Sequence, residues 1–257
     1  MEASEEIPVN ERHCLNCNSN IAEETRFCNH CGALQGDHDI DDALLRQRTI
    51  ALLSVFFGVH LLVCLFANFS PVARGLVPLL IFDGTLSVFT LSYVLYLRKE
   101  IAYLFKWNNF SVLKVLGYAL VAIALAIVVN YCVKWLNRTI FDTETYYYYA
   151  FSHLRYAKLI TLLFVALQPA IFEELAFRGV MQEGLKKVVD TRQAIFITAF
   201  LFSLLHMSII SFIWMLPFAL WLGYVRNKEQ TIWYGMLIHF CFNATACFFE
   251  FFELHLF

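Results

Sequence analysis

Ala157-KLITLLFVALQPAIFEELAFRG-Val180 is apolar along most of its length, yet it carries two adjacent glutamates, Glu173 and Glu174. A helix of about 20 apolar residues crosses a bilayer, and this stretch is long enough to do so. A carboxylate at membrane depth costs about 3 kcal/mol on insertion scales. Arg178 follows Glu174 by one helical turn. Ionisable residues inside a span point to function by default. Glu173 is rotated about 100° from Glu174 on a helix, so the two carboxylates do not share a job. One can face a cavity while Arg178 neutralises the other.

The rest of the chain has the same membrane character. Hydrophobic residues make up 60% of it and charged residues only 16%, against about 25% in an ordinary soluble domain. Mean hydropathy is +0.60. The net charge of −2 gives no electrostatic case for nucleic acid, and none is expected as a partner. The first 48 residues are polar, and no cleavable signal peptide is expected there.

Candidate spans run over 49–69, 76–97, 113–136, 157–180, 193–208, 211–226 and 231–253. The fold expected is all-α: a polytopic transmembrane bundle of about seven to eight helices. The fifth and sixth spans are short and suit a kinked or re-entrant pair. Pro169 and Pro217 sit inside spans, where each removes a backbone donor. Pro169 precedes Glu173 by one turn and predicts local helix distortion beside the acidic pair.

Cys14, Cys17, Cys28 and Cys31 form two C-x2-C knuckles in the spacing of a zinc ribbon. Residues 1–36 are read as that module, with a structural zinc that folds a peptide too small for a core. Residues 37–48 read as a charged linker, 49–148 as N-terminal transmembrane helices and 149–257 as the functional core. Reduced thiols place the N-terminus in the cytoplasm. The excess of Lys and Arg on that side of the spans, with Arg74 among the fewer on the other, gives the same orientation. Cys64, Cys132, Cys241 and Cys247 read as buried small hydrophobes. The tyrosine run from Tyr146 to Tyr149 suits a membrane interface.

The last spans add Phe202 and His206, then His239 and Asn243. Both pairs have helical spacing, so His239 and Asn243 can point together into the bundle. A carboxylate with an imidazole can activate water. An imidazole with an amide can donate to an oxyanion. Two histidines and a glutamate, here Glu173, His206 and His239, are also a familiar zinc set, although the H-E-x-x-H helix is missing. Blander readings stand beside these. His60 reads as an interhelical polar contact, Asp83 as interhelical glue or a lumen residue, Asn130 as a packing polar residue, Phe202 as a packing residue shaping the pocket, and Glu174 with Arg178 as a structural ion pair.

E-E-x-x-x-R (Glu173, Glu174, Arg178), F-x-x-x-H (Phe202, His206) and H-x-x-x-N (His239, Asn243) together resemble the signatures of the CPBP family of CAAX proteases and bacteriocin-processing enzymes, also called Abi. The resemblance covers roughly residues 155–250. It implies an intramembrane endopeptidase acting on membrane-associated or CAAX-like peptide or protein substrates. Glu173 with His206 would activate the water, and His239 with Asn243 would stabilise the oxyanion. Glu174 and Arg178 would hold the site in shape. The family is often labelled as metalloprotease, so a catalytic metal stays open at this point. The ribbon resembles an accessory module of some bacterial members, with a protein partner of its own and a bacterial cytoplasmic membrane as the setting. Two other readings remain: a non-catalytic factor in bacteriocin self-immunity or scaffolding, and a proton or cation transporter built on a Glu–His relay.

Overall fold

The computed structural model describes residues 11–14, 16–22, 28, 30–33, 39–73, 75–107, 110–141 and 147–252. Arg74 and Tyr146, read above as an outer charge and an interface anchor, lie outside the described residues, as do residues 1–10 of the ribbon. The chain forms two compact units, Met1–Ala51 and Leu52–Phe257.

In the first unit, β1 (Glu11–His13) pairs antiparallel with β2 (Asn20–Ala22), with His13 opposite Asn20. Between them the chain turns tightly: Asn18 N–H donates to Cys14 O over 2.9 Å, and Cys14 N–H donates to Ser19 O over 2.9 Å. Asn18 sits at φ 57° and Gly32, after the second knuckle, at φ 72°. Asn and Gly are the residues that enter the left-handed region most readily, so both knuckles close at little steric cost.

The membrane unit is helical. Helix α1 (Asp39–Phe69) begins well before its apolar part, so the segment read as a linker is helical from Asp39 onward. Then come α2 (Leu76–Tyr96), the short α3 (Arg98–Ile101) and α4 (Val112–Leu136). One long helix, Ala157–Leu185, carries the glutamates. It consists of α5 (Ala157–Thr161), a widened π-helical stretch Leu162–Leu167, α6 (Gln168–Glu173), a second π-helical stretch Glu174–Met181, and α7 (Gln182–Leu185). Next are α8 (Thr191–Leu204), α9 (Ile209–Glu229) and α10 (Trp233–Phe251). Among the described residues, five helices are long and apolar enough to cross a membrane: those at 43–69, 76–96, 112–139, 157–185 and 209–229.

The expected pair of short spans resolves differently. Only α8 is short, at 14 residues or about 21 Å. Helix α9 runs 21 residues, past the expected end at 226 to Glu229. Two partnerships let polar residues continue that helix. Arg226 pairs with Glu183, and Glu229 accepts from Lys114 Nζ at 2.6 Å and from Tyr118 Oη at 2.9 Å.

The glutamate helix is the centre of the unit. All eight residues from Glu174 to Met181 are buried, which requires neighbours all round. They pack against α2, α8 and α9. Leu53, Phe56, Phe177, Val180, Met181 and Phe202 form one apolar cluster there. Ala122, Ala126, Phe218, Leu222, Ile238 and Phe242 form another where α4, α9 and α10 meet. Outward-facing residues such as Leu62, Leu113, Leu120 and Ile213 are apolar and exposed, as lipid contact demands.

Lipid is as apolar as leucine, so burial of leucine does not draw membrane helices together; close packing and interhelical hydrogen bonds do. The unit has several such bonds. His60 bridges Phe56 O at 2.9 Å and Thr90 Oγ1 at 3.3 Å, which makes it a clasp between α1 and α2. Gln168 Nε2 donates to Ser87 Oγ over 2.8 Å. Gln182 Nε2 donates to Gly223 O over 3.1 Å. Asn130, by contrast, donates to Ala126 O on its own helix.

At one end of the bundle, Tyr103 Oη donates to Glu183 Oε2 over 2.8 Å, and Arg226 donates to the same oxygen. Burial is the main force on the Tyr103 phenol, and it holds the group protonated, pushed up to about 12 despite the nearby Arg226. Arg226 is fully buried, so Glu183 is the charge that neutralises it. Glu183→Ala should therefore lower stability by about 3 kcal/mol, read from denaturant unfolding in mixed micelles. A loss below about 0.5 kcal/mol would show that Arg226 does not depend on that pairing.

Candidate active site

Glu174 opens the second π-helical stretch, and its carboxyl has no exposure. Arg178, one turn on, donates from Nη1 to Glu174 Oε1 over 2.9 Å, and both side chains are buried. From α10, His239 Nδ1 meets the same Oε1 at 2.9 Å. One oxygen therefore receives both a guanidinium and an imidazole. The Nδ1 contact fixes the imidazole's orientation and turns Nε2 towards Glu173, whose Oε2 lies 3.7 Å away. Arg178 Nη2 also reaches Ala219 O in α9 at 3.3 Å, so the clamp joins three helices.

Glu173, one residue earlier, is placed differently. Its side chain keeps 35% of its surface, and His239 Nε2 is its nearest ionic neighbour. The one-residue offset thus separates a locked, dry carboxylate from an open one.

His206 is not on a helix, contrary to the helical spacing expected for F-x-x-x-H. Helix α8 ends at Leu204, and His206 lies in the turn that leads to α9. Met207 at φ 52° reverses the chain, and Ser208 Oγ caps α9 by accepting from Ser211 N–H over 3.2 Å. In that turn His206 Nδ1 donates to Phe202 O over 3.1 Å, and the residue is exposed. Phe202 is itself buried under the site. Its ring carries the Arg178 guanidinium at 4.6 Å and stands edge-on to His206 at 5.0 Å and to His239 at 6.2 Å. It is the floor that spaces the two imidazoles.

Asn243 follows His239 by one turn on α10 and is half-buried. Its Nδ2 donates to Val165 O over 3.0 Å. The expectation that His239 and Asn243 look into the bundle together thus meets two separate partners: Glu174 for one and a backbone carbonyl for the other.

Gly235 and Gln182 belong to this environment and went unread in the sequence. A Cβ on Gly235 would lie 2.8 Å from Glu174 Oε2, so only glycine leaves room for that carboxylate. Its signal was positional, one turn before His239 on the same face. Gln182 continues the Glu174–Arg178 row by one more turn and is fully buried. Among the described residues, Glu174 Oε2 and Arg178 Nε have no hydrogen-bond partner.

The one set of three or more Cys, His, Asp or Glu residues whose ligand atoms converge within 4.8 Å, among the described residues, is Cys14, Cys17, Cys28 and Cys31. Glu173, His206 and His239 are not such a set. Cys14 Sγ lies 3.6 Å from Cys31 Sγ, and Cys17 Sγ lies 3.5 Å from Cys28 Sγ. These separations approach the edge of a tetrahedron of thiolates around one ion, about 3.8 Å for metal–sulfur bonds of about 2.3 Å. Burial opposes ionisation of Cys14, but the N–H groups of Cys17 and Asn16, each 3.4 Å from its sulfur, bring it down to about 6. Cys28 goes up to about 11: the Cys31 N–H favours its thiolate, but burial and the thiols of Cys17 and Cys14 outweigh it. The four sulfurs are thus able to hold a metal ion. Of the other cysteines, Cys247 is buried and Cys64 and Cys241 are half-buried, whereas Cys132 is exposed on α4 and is not the buried hydrophobe expected.

Residues 155–245 match the family model described as type II CAAX prenyl endopeptidase Rce1-like. All three motif pairs lie inside the matched stretch, so the family resemblance holds over this segment. No curated protein and no solved structure matches the chain. Five membrane-length helices and this match support an integral, multi-pass membrane protein, in which residues 155–245 are similar to the CAAX endopeptidase family.

Gly235→Ala should push Glu174 against its two donors and displace His239. If the site works as an enzyme, turnover should fall about 100-fold, the scale of a displacement of about 1 Å, while helix content stays unchanged. Unchanged turnover would show that the carboxylate has slack.

Proposed function

We propose that this protein is an intramembrane endopeptidase in which Glu173 and His206 activate water against a peptide bond of a CAAX-like, membrane-associated substrate. The observation that carries the reading is the split between the two glutamates: Glu174 Oε1 is held by both Arg178 and His239, and Glu173 is left open with His239 Nε2 3.7 Å from its Oε2.

The chemistry follows from these placements. Glu173 or His206 Nε2 takes a proton from a water molecule as its oxygen attacks the carbonyl carbon. The carbonyl oxygen becomes an oxyanion, and the Nε2 side of His239 donates to it, with Glu174 stabilising the charged imidazole. The captured proton passes to the leaving nitrogen as the C–N bond breaks, giving a carboxylic acid and an amine. Arg178 pairs with Glu174, and Phe202 stands edge-on to both imidazoles. Asn243, one turn on from His239 on α10, holds Val165 O of the glutamate helix. The metalloprotease label calls for a ligand set that Glu173, His206 and His239 do not form as their side chains stand, so no step here runs through a metal.

For the ribbon we propose a structural zinc on Cys14, Cys17, Cys28 and Cys31, supported by the tetrahedral sulfur spacing. The ribbon's reduced thiols and the Lys and Arg asymmetry support a cytoplasmic N-terminus, in keeping with a bacterial cytoplasmic membrane.

The test is cleavage of a farnesylated peptide with a C-terminal CAAX sequence by the purified protein in proteoliposomes. Glu173→Gln keeps the shape and removes the base, and should lower turnover by about 10²–10⁴-fold with the helical spectrum intact. Near-native turnover would refute the mechanism, and a purified wild-type protein that leaves the peptide intact would refute this substrate class. Metal analysis should find zinc on the purified chain, lost together in Cys14→Ser and Cys28→Ser. Zinc retained by both variants would contradict the ribbon assignment.

A further inference from the structure

The helix that delivers Glu173 contains a proline one turn before it, and a proline has no N–H to donate. In α-helical register, the carbonyl that the N–H of residue 169 would close on is that of Val165. The chain is widened just here, over Leu162–Leu167, before α6 resumes with Pro169 in its first turn. The amide of Asn243, reaching across from α10, donates to Val165 O over 3.0 Å. The approach is close because small side chains line it: Ala166 on one side, Ala244 and Cys247 on the other, all buried. In a bilayer a carbonyl left by a proline is re-satisfied by neighbouring helices and side chains, since water is not at hand.

We propose that Asn243 is a positioning residue: its side-chain amide takes the place of the N–H that Pro169 lacks, and so fixes the stretch of helix that aims Glu173. Val165, Pro169 and Glu173 follow one another at single-turn intervals, so a change in the bond at Val165 is passed to Glu173 through two turns of backbone. The widened helix and the proline define where the chain is weakest, and the Asn243 amide is bonded at that point. This assignment differs from an oxyanion contact, which the resemblance implies for the same residue, because it makes the need for Asn243 conditional on Pro169. Its activity arm rests on the endopeptidase reading; its exchange arm does not.

The experiment is a cycle of four full-length proteins in detergent micelles: wild type, Asn243→Ala, Pro169→Ala and the double variant. Cleavage of the farnesylated CAAX peptide and backbone hydrogen exchange across residues 162–173 are measured for each. Asn243→Ala should lower kcat about tenfold or more with KM little changed, and should speed exchange in that segment. In the Pro169→Ala background, where residue 169 can supply the hydrogen bond itself, the same substitution should cost at most about twofold, with exchange protection restored. An equal loss in both backgrounds, as an oxyanion donor would give, overturns the proposal. So does exchange in 162–173 that Asn243→Ala leaves unchanged. If Asn243→Ala folds only together with Pro169→Ala, the conditional role is supported; failure to fold in both backgrounds contradicts it. Should no protein cleave the peptide, the endopeptidase reading fails for this substrate, and the exchange cycle still decides the role of Asn243.

Discussion

Glu174 and Arg178 are buried one turn apart on the central helix of a membrane bundle, and neither charge can exist there without the other. A lone carboxylate at that depth would be protonated or would drag water in. Here the guanidinium donates to it at Oε1, and the same oxygen orders an imidazole. His239 takes that order through Nδ1, and its other nitrogen is thereby aimed at Glu173. The helix is widened to bring this about, Gly235 clears space for the carboxylate, and Phe202 lies under the guanidinium and both histidines. Each of these features answers the need to keep two charges together in a dry place.

The same logic explains how the bundle coheres when its outer surface is apolar. Helices in lipid gain nothing from hiding leucine from water, so specificity falls to a small number of polar contacts and to close packing of small residues. His60 with Thr90, Gln168 with Ser87, Gln182 with Gly223 O and Asn243 with Val165 O are such contacts, each joining two helices. One of them, Asn243 to Val165 O, ends on a backbone carbonyl where proline and π-helical widening change the ordinary helical ladder. The distortion beside the site and the residues that stabilise it are therefore one arrangement.

Much of this was legible in the sequence. Apolar runs marked the membrane helices at 49–69, 76–97 and 113–136 to within a few residues of their apolar cores, and the knuckle spacing brought four cysteines to one point. Four-residue spacing brought Glu174 to Arg178, because a buried pair on one helix leaves a local signal. What depended on tertiary partners was not visible. Helix α9 continues to Glu229 because Glu183, Lys114 and Tyr118, distant in sequence, neutralise its charged end. His206 left its helix because a backbone reversal at Met207 is set by the α8–α9 turn rather than by the F-x-x-x-H spacing. Gly235 carried no charge to draw attention, and Asn243 gave no hint that its partner is a carbonyl of another helix. The metal trio suggested by residue types alone is not a set whose ligand atoms converge within 4.8 Å among the described residues.

On the proposed reading, Glu174 serves the structure and Glu173 the chemistry. Equilibrium unfolding of Glu173→Ala and Glu174→Ala in the same mixed micelles separates the two roles. Removing Glu174 strands the buried Arg178 and should cost about 3 kcal/mol. Removing Glu173, which is open and bears no short hydrogen bond, should change stability by less than about 0.5 kcal/mol. Equal losses for the two variants, or a larger loss for Glu173→Ala, would contradict the division.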